Sequence, residues 1–256
     1  GLGLVPVTAD LERREQEVRR TFAHVARVIA PTRHLAQVFE RAGVARARLV
    51  ELCYAFDETS YRAAPRRAAG GPVRFAFLGQ FAPHKGLATL LAAGRELARL
   101  APGTPFEIVL FGGPSGARHR LYWAAQEPGL QAAHAHVAPA FLPGEAARVL
   151  AGFDALVAPS EWDENAPLAV LQARAAGLPV IASDVPGIAE IVRVPEQGRL
   201  TPPGDAPALA RALLAVLRGE LRAPLAPGLA LSLEEHLARL EQIYAAARAE
   251  PEAARG

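Results

Sequence analysis

The chain has 256 residues, with 28 basic and 26 acidic side chains, and about half of its residues are apolar. It can therefore bury a core, which excludes intrinsic disorder, and its single Cys excludes a disulfide framework and a cysteine-based zinc site. The net charge of +2 does not predict nucleic-acid binding. No apolar run reaches the about 18 residues that span a bilayer, and the N-terminus lacks a signal pattern. We expect a cytoplasmic protein.

The first part of the chain, residues 1–60, has a charged helix and then a strand–helix–strand pattern. The predicted elements are a helix over 10–26, a strand at Val28–Ala30, a helix capped by Thr32 and a strand over 49–53. Residues 61–72 contain Pro65 and Gly70 and have no apolar period. We expect a linker or domain boundary there.

From Val73 onward, apolar strands alternate with amphipathic helices. The predicted strands are 73–78, 106–111, 135–138, 155–158 and 180–182, and the predicted helices are 86–100, 117–126, 144–151, 167–176, 188–192 and 206–217. A last helix over 232–248 starts with a capping box, Ser232 and Glu235. The alternation predicts an α/β fold over 73–230, a Rossmann-like parallel sheet with helices on both faces, followed by a C-terminal helical segment, 231–256.

Ligands of such sheets bind at the carboxyl ends of the strands, so the loop after Leu78 is a candidate site. It runs from Gly79 to Gly86 and contains Lys85, while Arg fills every other basic position of the chain. Lys85 stands just before a helix, whose first N–H groups favour an anion, so a cation there is out of place unless a phosphate lies between. The alternative is a solvated surface lysine. Neither a dinucleotide fingerprint nor a Walker motif is present.

Two further strand ends carry candidate residues. The turn that begins at Gly112 is either a simple turn or a place where the backbone approaches a base or ribose. In the acidic loop after Ala158, Pro167 suits the first position of a helix, and Glu164 and Gln172 are eight residues apart. Eight helical residues give about 80° of rotation and about 12 Å of rise, so both could face one crevice. The alternative is a helix-dipole acid and a buried polar Gln.

Laid side by side, these segments resemble the C-terminal half of retaining glycosyltransferases of group 1, often called family 4. That family has a Gly-Arg-x-x-x-x-Lys-Gly loop, a Pro-Ser strand end, and two Glu residues separated by seven others before Ala-Ala-Gly-Leu-Pro-Val. The matching segments here are 79–86, 159–160, 164–173, 175–180 and 183–190. The resemblance covers roughly residues 25–244 and implies one half of a GT-B fold, in which two Rossmann-like domains face each other.

The resemblance also implies roles for individual residues. Lys85 and Glu164 would be the catalytic positions, the first on the donor diphosphate and the second on the transferred sugar. The remaining donor-binding positions would be Gly79, Gln80, Gly112, Ala138, Phe141, Asn165, Ala166, Pro167, Leu168 and Gln172. Two of them depart from the family pattern, because Gln80 replaces an Arg and Gln172 replaces the second Glu. Both changes remove a charge-assisted hydrogen bond, so donor affinity is the property that they affect.

The implied reaction is transfer of a hexosyl group from a nucleoside diphosphate sugar, such as a UDP or GDP sugar, with retention at the anomeric carbon. The family implies no metal or other cofactor, and His134 and His136 are more typical of structural residues than of metal ligands. The saccharide or glycolipid acceptor would bind an N-terminal domain of which 1–60 would be the tail, and 231–256 would pack back on it. We therefore expect this chain alone to transfer little or no sugar. Polysaccharide synthesis and peripheral membrane contact of a full-length protein are compatible with the family.

Two other functions stay open from the residues. One is a related sugar-nucleotide epimerase or phosphorylase, although a phosphorylase needs a second Lys for pyridoxal phosphate. The other is a non-catalytic scaffold that keeps the fold, for which Gln80 and Gln172 are the main support. The sequence does not reveal the base, the sugar, the acceptor or the linkage.

Overall fold

The computed structural model describes residues 7–68, 70–192, 195, 197–222 and 231–249. Contacts between Cα atoms divide the chain into two compact units, Gly1–Ala55 with Leu231–Gly256 and Phe56–Ala230. The division falls after residue 55, whereas the sequence analysis ended the first segment at 60. Parts of the predicted segments, 1–6, 69, 193–194, 196, 223–230 and 250–256, lie outside the described residues. No helix of the described residues is long and apolar enough to cross a membrane.

The helices and strands follow in chain order: α1 (Val7–Ala23), β1 (Val28–Ala30), α2 (Arg33–Arg41), β2 (Leu49–Glu51), α3 (Glu58–Ala63), β3 (Val73–Leu78), α4 (Leu87–Leu100), β4 (Phe106–Phe111), α5 (Gly116–Gln126), β5 (Ala135–Val137), α6 (Ala146–Leu150), β6 (Ala155–Ala158), α7 (Leu168–Ala175), β7 (Val180–Ser183), α8 (Pro186–Ala189), β8 (Gly198–Thr201), α9 (Ala206–Leu217) and α10 (Leu233–Ala249).

The smaller unit contains a two-stranded parallel sheet, in which β1 pairs with β2. Helix α2 connects them, and Thr32 caps it by accepting a hydrogen bond from the Leu35 N–H at 3.2 Å, as the sequence predicts. A small core forms where Phe22 meets Phe39 edge to face, with ring centroids 5.4 Å apart. The predicted strand–helix–strand pattern is confirmed, although β2 ends two residues earlier than expected.

The last helix, α10, begins with the predicted capping box. The Glu235 N–H donates to the Ser232 hydroxyl at 3.1 Å, and the Ser232 N–H donates to the Glu235 carboxylate at 2.9 Å. The bond from the Ser232 N–H to the carboxylate, and then the interaction of that carboxylate with the Ser232 side chain, hold the pKa of Glu235 below its usual value. The capping box therefore sets the start of α10 locally, because it satisfies two N–H groups that the first turn leaves unpaired.

The larger unit is a six-stranded, all-parallel sheet with strand order β5-β4-β3-β6-β7-β8 and helices around it. This confirms the predicted α/β fold class. The strands are almost wholly apolar because helices cover them, and Phe75, Ile108 and Ile181 lie in one buried core with residues of α4 and α9. The order of strands shows that the chain builds outward from β3 to β5, then returns to the centre at β6 and builds outward to β8. The reversal lies between β3 and β6.

Two elements of the larger unit, α3 and β8, were not predicted at all. The expected linker, 61–72, begins inside helix α3, which Asp57 caps through the Thr59 N–H at 3.0 Å and whose Tyr61 is buried. Later in the same segment, the Arg66 guanidinium donates to the Ala176 carbonyl at 2.9 Å. This contact holds the segment against the larger unit, although the segment has no apolar period. Strand β8 was not predicted, since its sequence, Gly-Arg-Leu-Thr, has no apolar run and it lies at the edge of the sheet.

Candidate functional site

The two candidate catalytic side chains meet at the reversal of strand order. Lys85 lies in the loop after β3 and Glu164 in the loop after β6, and the Lys85 Nζ is 2.5 Å from the Glu164 Oε1. Because β3 and β6 are neighbours in the sheet, residues 79 positions apart in the chain come into direct contact. Open parallel sheets bind ligands in the crevice at such a switch point.

Gly86 makes the approach of these loops possible. Its φ is +68°, and a Cβ at this position would lie 1.8 Å from the Pro159 carbonyl oxygen. Only glycine fits here, because the backbone of residue 86 is left-handed and the loop after β3 is in backbone contact with the loop after β6. Lys85, the residue before it, lies in a short 3-10 turn, Pro83–Lys85, rather than in helix α4. From the sequence, a cation here is out of place unless a phosphate lies beside it; the structure shows that a phosphate is not required, because Glu164 supplies a counterion.

Glu164 is held from two sides and is largely removed from water. Its Oε1 accepts from Lys85 and from the Ser160 hydroxyl, also at 2.5 Å, and its side chain is 10% exposed. The Lys85 side chain is 27% exposed. The three residues line a cavity of about 40 Å³ beside the ends of β3 and β6. An ammonium has three donors, so Lys85 can bind an anion at the cavity while it keeps Glu164.

The backbone of Glu164 is packed against Gly187, at the start of α8. A Cβ on Gly187 would lie 1.7 Å from the Glu164 carbonyl oxygen and 2.5 Å from that of Asn165. Gly187 is buried. The loop after β7 therefore sets how deep the Glu164 loop lies, and any larger residue at 187 would push it outward.

An aromatic pair adjoins the ion pair. The imidazole of His84 and the indole of Trp162 have ring centroids 4.7 Å apart. Burial lowers the pKa of His84 below its ordinary value, and the positive charge of Lys85 lowers it further, against an opposing effect of Glu164. The fold therefore favours the neutral imidazole.

The other predicted donor-binding positions lie at neighbouring strand ends. The Gly79 N–H donates to the Phe111 carbonyl at 3.0 Å, and Gly112 follows directly. The Ala138 N–H donates to the Leu110 carbonyl at 2.9 Å, which brings the end of β5 alongside. Phe141 contacts Phe111 edge to face at 5.2 Å, and Gln80 is half-buried in the loop after β3. The strand ends bring these residues to one edge of the sheet, and their roles stay a prediction.

The helix after Glu164 starts later than predicted. Pro167 is its N-cap rather than its first residue, α7 begins at Leu168, and Ala166 is buried. Glu164 and Gln172 are not related by the predicted helical rotation, because only part of the stretch between them is helical. Gln172 is half-buried in α7 and is not among the residues that line the cavity beside Glu164. The first N–H groups of α7 still lack intrahelical partners and point away from the helix, as at every helix start.

Side chains suited to metal binding are not gathered in the part of the chain that the structure describes: it has no group of three or more His, Cys, Asp or Glu that could hold an ion. His136 instead lies 3.9 Å from the Glu107 carboxylate, and His134 stacks on Phe106 at 4.7 Å. That these histidines are structural rather than metal-binding stays a prediction.

Comparison with known proteins decides the family. The sequence profile described as glycosyl transferases group 1 matches residues 72–219, which is more than half of the chain. The chain belongs to the group 1 glycosyl transferases. The matched residues include Lys85, Ser160, Glu164 and Gly187, so the contacts described above lie within the family's own region.

Relatives support the same assignment for part of their length. A D-inositol 3-phosphate glycosyltransferase of Nocardia farcinica is 32% identical over 193 residues, which are 70% of this chain and 42% of the relative. The enzyme of the same name from Rhodococcus erythropolis is 32% identical over 210 residues, 77% of this chain and 46% of the relative. This group 1 glycosyl transferase chain thus spans less than half the length of these relatives.

Solved structures share the fold. Anabaena Alr3699/HepE, in complex with UDP and glucose, superimposes with a TM-score of 0.75 at 17% identity, over 90% of this chain and 67% of that one. Sucrose-phosphate synthase of Thermosynechococcus elongatus gives 0.71 at 20% identity, over 92% and 61%. At these identities the likeness shows the fold alone, and it confirms the predicted Rossmann-like half of a GT-B fold for this group 1 chain.

Sequence reasoning missed two residues that shape the site. Ser160 was noted as part of a family segment and Gly187 lies in another, but neither was named as a site residue. Ser160 carries a local signal, since it is a polar residue at the end of a buried strand, four positions before Glu164. Gly187 carries none, because its importance comes from a loop that is distant in sequence.

Proposed function

We propose that the larger unit binds a nucleoside diphosphate sugar and that the full-length protein transfers its hexosyl group to a saccharide or glycolipid acceptor with retention. The observation that carries the proposal is the contact between Lys85 and Glu164 at the reversal of strand order. Family membership supports the class of reaction, and the fold shared with a protein in complex with UDP and glucose supports the class of donor.

In the proposed complex, Lys85 binds the diphosphate and Glu164 contacts the sugar. As the bond between the anomeric carbon and the diphosphate oxygen breaks, the electron pair leaves with the diphosphate. A fixed ammonium in a half-buried crevice stabilises that charge without reorganising. We also assign to the diphosphate the backbone N–H groups of Asn165, Ala166 and Leu168, which carry partial positive charge, whereas Pro167 has no N–H to donate.

Donor binding is tested by calorimetric titration of the chain with UDP, GDP and uridine. We expect Lys85→Ala to weaken binding of the diphosphate by about tenfold or more and binding of uridine hardly at all, since only the first has a charge for Lys85. Arg99→Ala is the matched control, because Arg99 is a cation at the far end of α4 and is paired with Glu96 at 3.0 Å. Equal losses for UDP and uridine would exclude the proposed contact.

A non-catalytic scaffold is the second candidate, favoured by Gln80 and Gln172 at positions where the family has charged residues. A folded sample that binds neither UDP nor GDP at millimolar concentration would support it. We also propose that this chain alone transfers little or no sugar, because it spans less than half of its relatives and acceptor binding is assigned to the remainder. Measurable transfer to an acceptor by the 256-residue chain would contradict that.

A further inference from the structure

Trp162 is an exposed aromatic side chain two residues before Glu164. Its exposed fraction is 56%, and it is the one exposed ring among the described Phe, Tyr and Trp residues of the unit Phe56–Ala230. The other Trp of the chain, Trp123, packs against Phe81 with centroids 4.6 Å apart. Single exposed apolar residues are ordinary on protein surfaces, so exposure by itself implies no function.

The backbone on either side of Trp162 is fixed, which separates it from an ordinary surface residue. The Glu161 N–H donates to the His84 carbonyl at 2.8 Å, and the Glu161 carboxylate accepts from the Thr89 hydroxyl. Glu164 is fixed by Lys85 and Ser160. The indole is therefore held between two anchored residues, in contact with His84, and its exposure is a property of the folded loop.

Two residues with carboxylate side chains flank Trp162 in the chain. Glu161 precedes it, Asp163 follows it, and both are exposed. An aromatic face next to carboxylates matches the two sides of a pyranose ring, since the ring's C–H groups are apolar and its hydroxyls donate strongly to charged oxygens. A phosphate or another anion would be repelled by the same carboxylates.

We propose that Trp162, with Glu161 and Asp163, forms a subsite for a pyranose ring beside the Lys85–Glu164 contact. The inference rests on the proposed function for the identity of the site next to it. The ring can come from the donor sugar or from the acceptor saccharide. In either case it stacks on the indole and its hydroxyls donate to the carboxylates.

The test uses Trp162 as its own reporter. In the Trp123→Phe variant, Trp162 is the sole Trp of the chain, and Phe preserves an aromatic contact with Phe81. Acrylamide quenching of its fluorescence is measured alone and with methyl α-D-glucopyranoside or methyl α-D-mannopyranoside. Sorbitol, which has similar hydroxyls but no ring face, is the control. We expect a glycoside to lower the quenching constant by about twofold, because a stacked ring covers the exposed face of the indole.

Nucleotides distinguish the two sources of the ring. If UDP-glucose or GDP-mannose protects Trp162 from acrylamide quenching and the matching nucleotide does not, the subsite is assigned to the donor sugar. Protection by a glycoside that persists with saturating sugar nucleotide assigns it to the acceptor. If no glycoside or sugar nucleotide protects more than sorbitol or the nucleotide alone, the subsite is excluded, even where calorimetry shows that UDP or GDP binds. If glycosides protect and neither UDP nor GDP binds, the subsite stands and the proposed donor function fails.

Substitutions provide an independent readout. In the wild-type background, binding of the protecting sugar is measured by calorimetry or by saturation-transfer NMR. We expect Trp162→Ala to weaken it by about three- to tenfold and Trp162→Phe to restore much of the loss, because Phe retains a stacking face. Leu121→Ala is the matched control, since Leu121 is an exposed apolar residue of α5, 76% exposed. An equal effect of Trp162→Ala and Leu121→Ala would contradict the proposal.

Discussion

The Lys85 ammonium lies 2.5 Å from the Glu164 carboxylate, although 79 positions separate the two residues in the chain. Their contact depends on the neighbouring positions of β3 and β6, whose following loops carry them. The pair is partly buried, so each charge needs the other when the crevice contains no ligand. An entering anion would share Lys85 with Glu164 rather than meet an unpaired cation.

We expect Lys85→Met to lower the free energy of unfolding by about 1–3 kcal/mol, and Glu164→Gln to lower it by less. The asymmetry follows from exposure, since removal of Lys85 leaves a carboxylate that is 10% exposed, whereas removal of Glu164 leaves an ammonium that is 27% exposed. Urea denaturation of both single variants and the double variant gives the coupling energy. A double variant whose loss equals the sum of the single losses would mean that the two charges do not interact.

We expect Gly86→Ala to lower the free energy of unfolding by about 3 kcal/mol or more, because the new Cβ has neither an allowed φ nor space beside Pro159. Gly103→Ala is the matched control, with a φ of +75° and nothing within 4 Å of the added Cβ. Gly103→Ala should lower the free energy of unfolding by only about 1 kcal/mol, the cost of placing a residue with a Cβ in left-handed backbone. Similar losses for the two variants in thermal or urea unfolding would contradict the close approach of Gly86 and Pro159.

We expect Gly187→Ala to displace the Glu164 loop and to reduce the part of donor affinity that the sugar contributes. Calorimetry should show a larger loss for UDP-glucose than for UDP, or for GDP-mannose than for GDP, because Glu164 is assigned to the sugar. Gly129→Ala is the control, since its added Cβ meets only the flexible end of Arg95 at 3.4 Å. If the variant stays folded and loses affinity for the nucleotide and the sugar nucleotide equally, Gly187 does not position Glu164.

His84 should make stability depend on pH. Its pKa in the folded protein is lowered from 6.5, chiefly by burial and then by Lys85, so the unfolded chain takes up the proton first as pH falls. Its contribution is therefore complete above the unfolded pKa and decreases as pH falls through 6.5 toward the folded pKa. Urea midpoints at about pH 7.5 and about pH 5.5 should differ less in His84→Gln than in the wild type. His24→Gln, on the exposed surface, is the control, and an unchanged difference in His84→Gln would contradict this assignment.

The local sequence pattern was sufficient to predict the elements that form the core. Strands β3, β4 and β6 and helix α9 have the predicted bounds, because each combines an apolar run or stripe with clear turn residues. It failed for α3 and β8. Helix α3 is one short turn-and-a-half that depends on an Asp57 cap and a buried Tyr61, and β8 is an edge strand without an apolar run. Strand β8 is stabilised by pairing with β7, which its own residues do not specify, whereas α3 combines a local cap with a burial of Tyr61 that only packing provides.

The sequence by itself determined the fold class and the strand ends at which to search, and it singled out Lys85 and Glu164. Only the tertiary structure decided that these two residues touch, that Ser160 and Gly187 fix Glu164, and that Trp162 is held exposed beside them. The physical reason is that hydrophobic period and capping act over a few residues, whereas strand order depends on packing among all crossovers. Contacts such as Gly86 with Pro159 and Gly187 with Glu164 exist only once that order is formed.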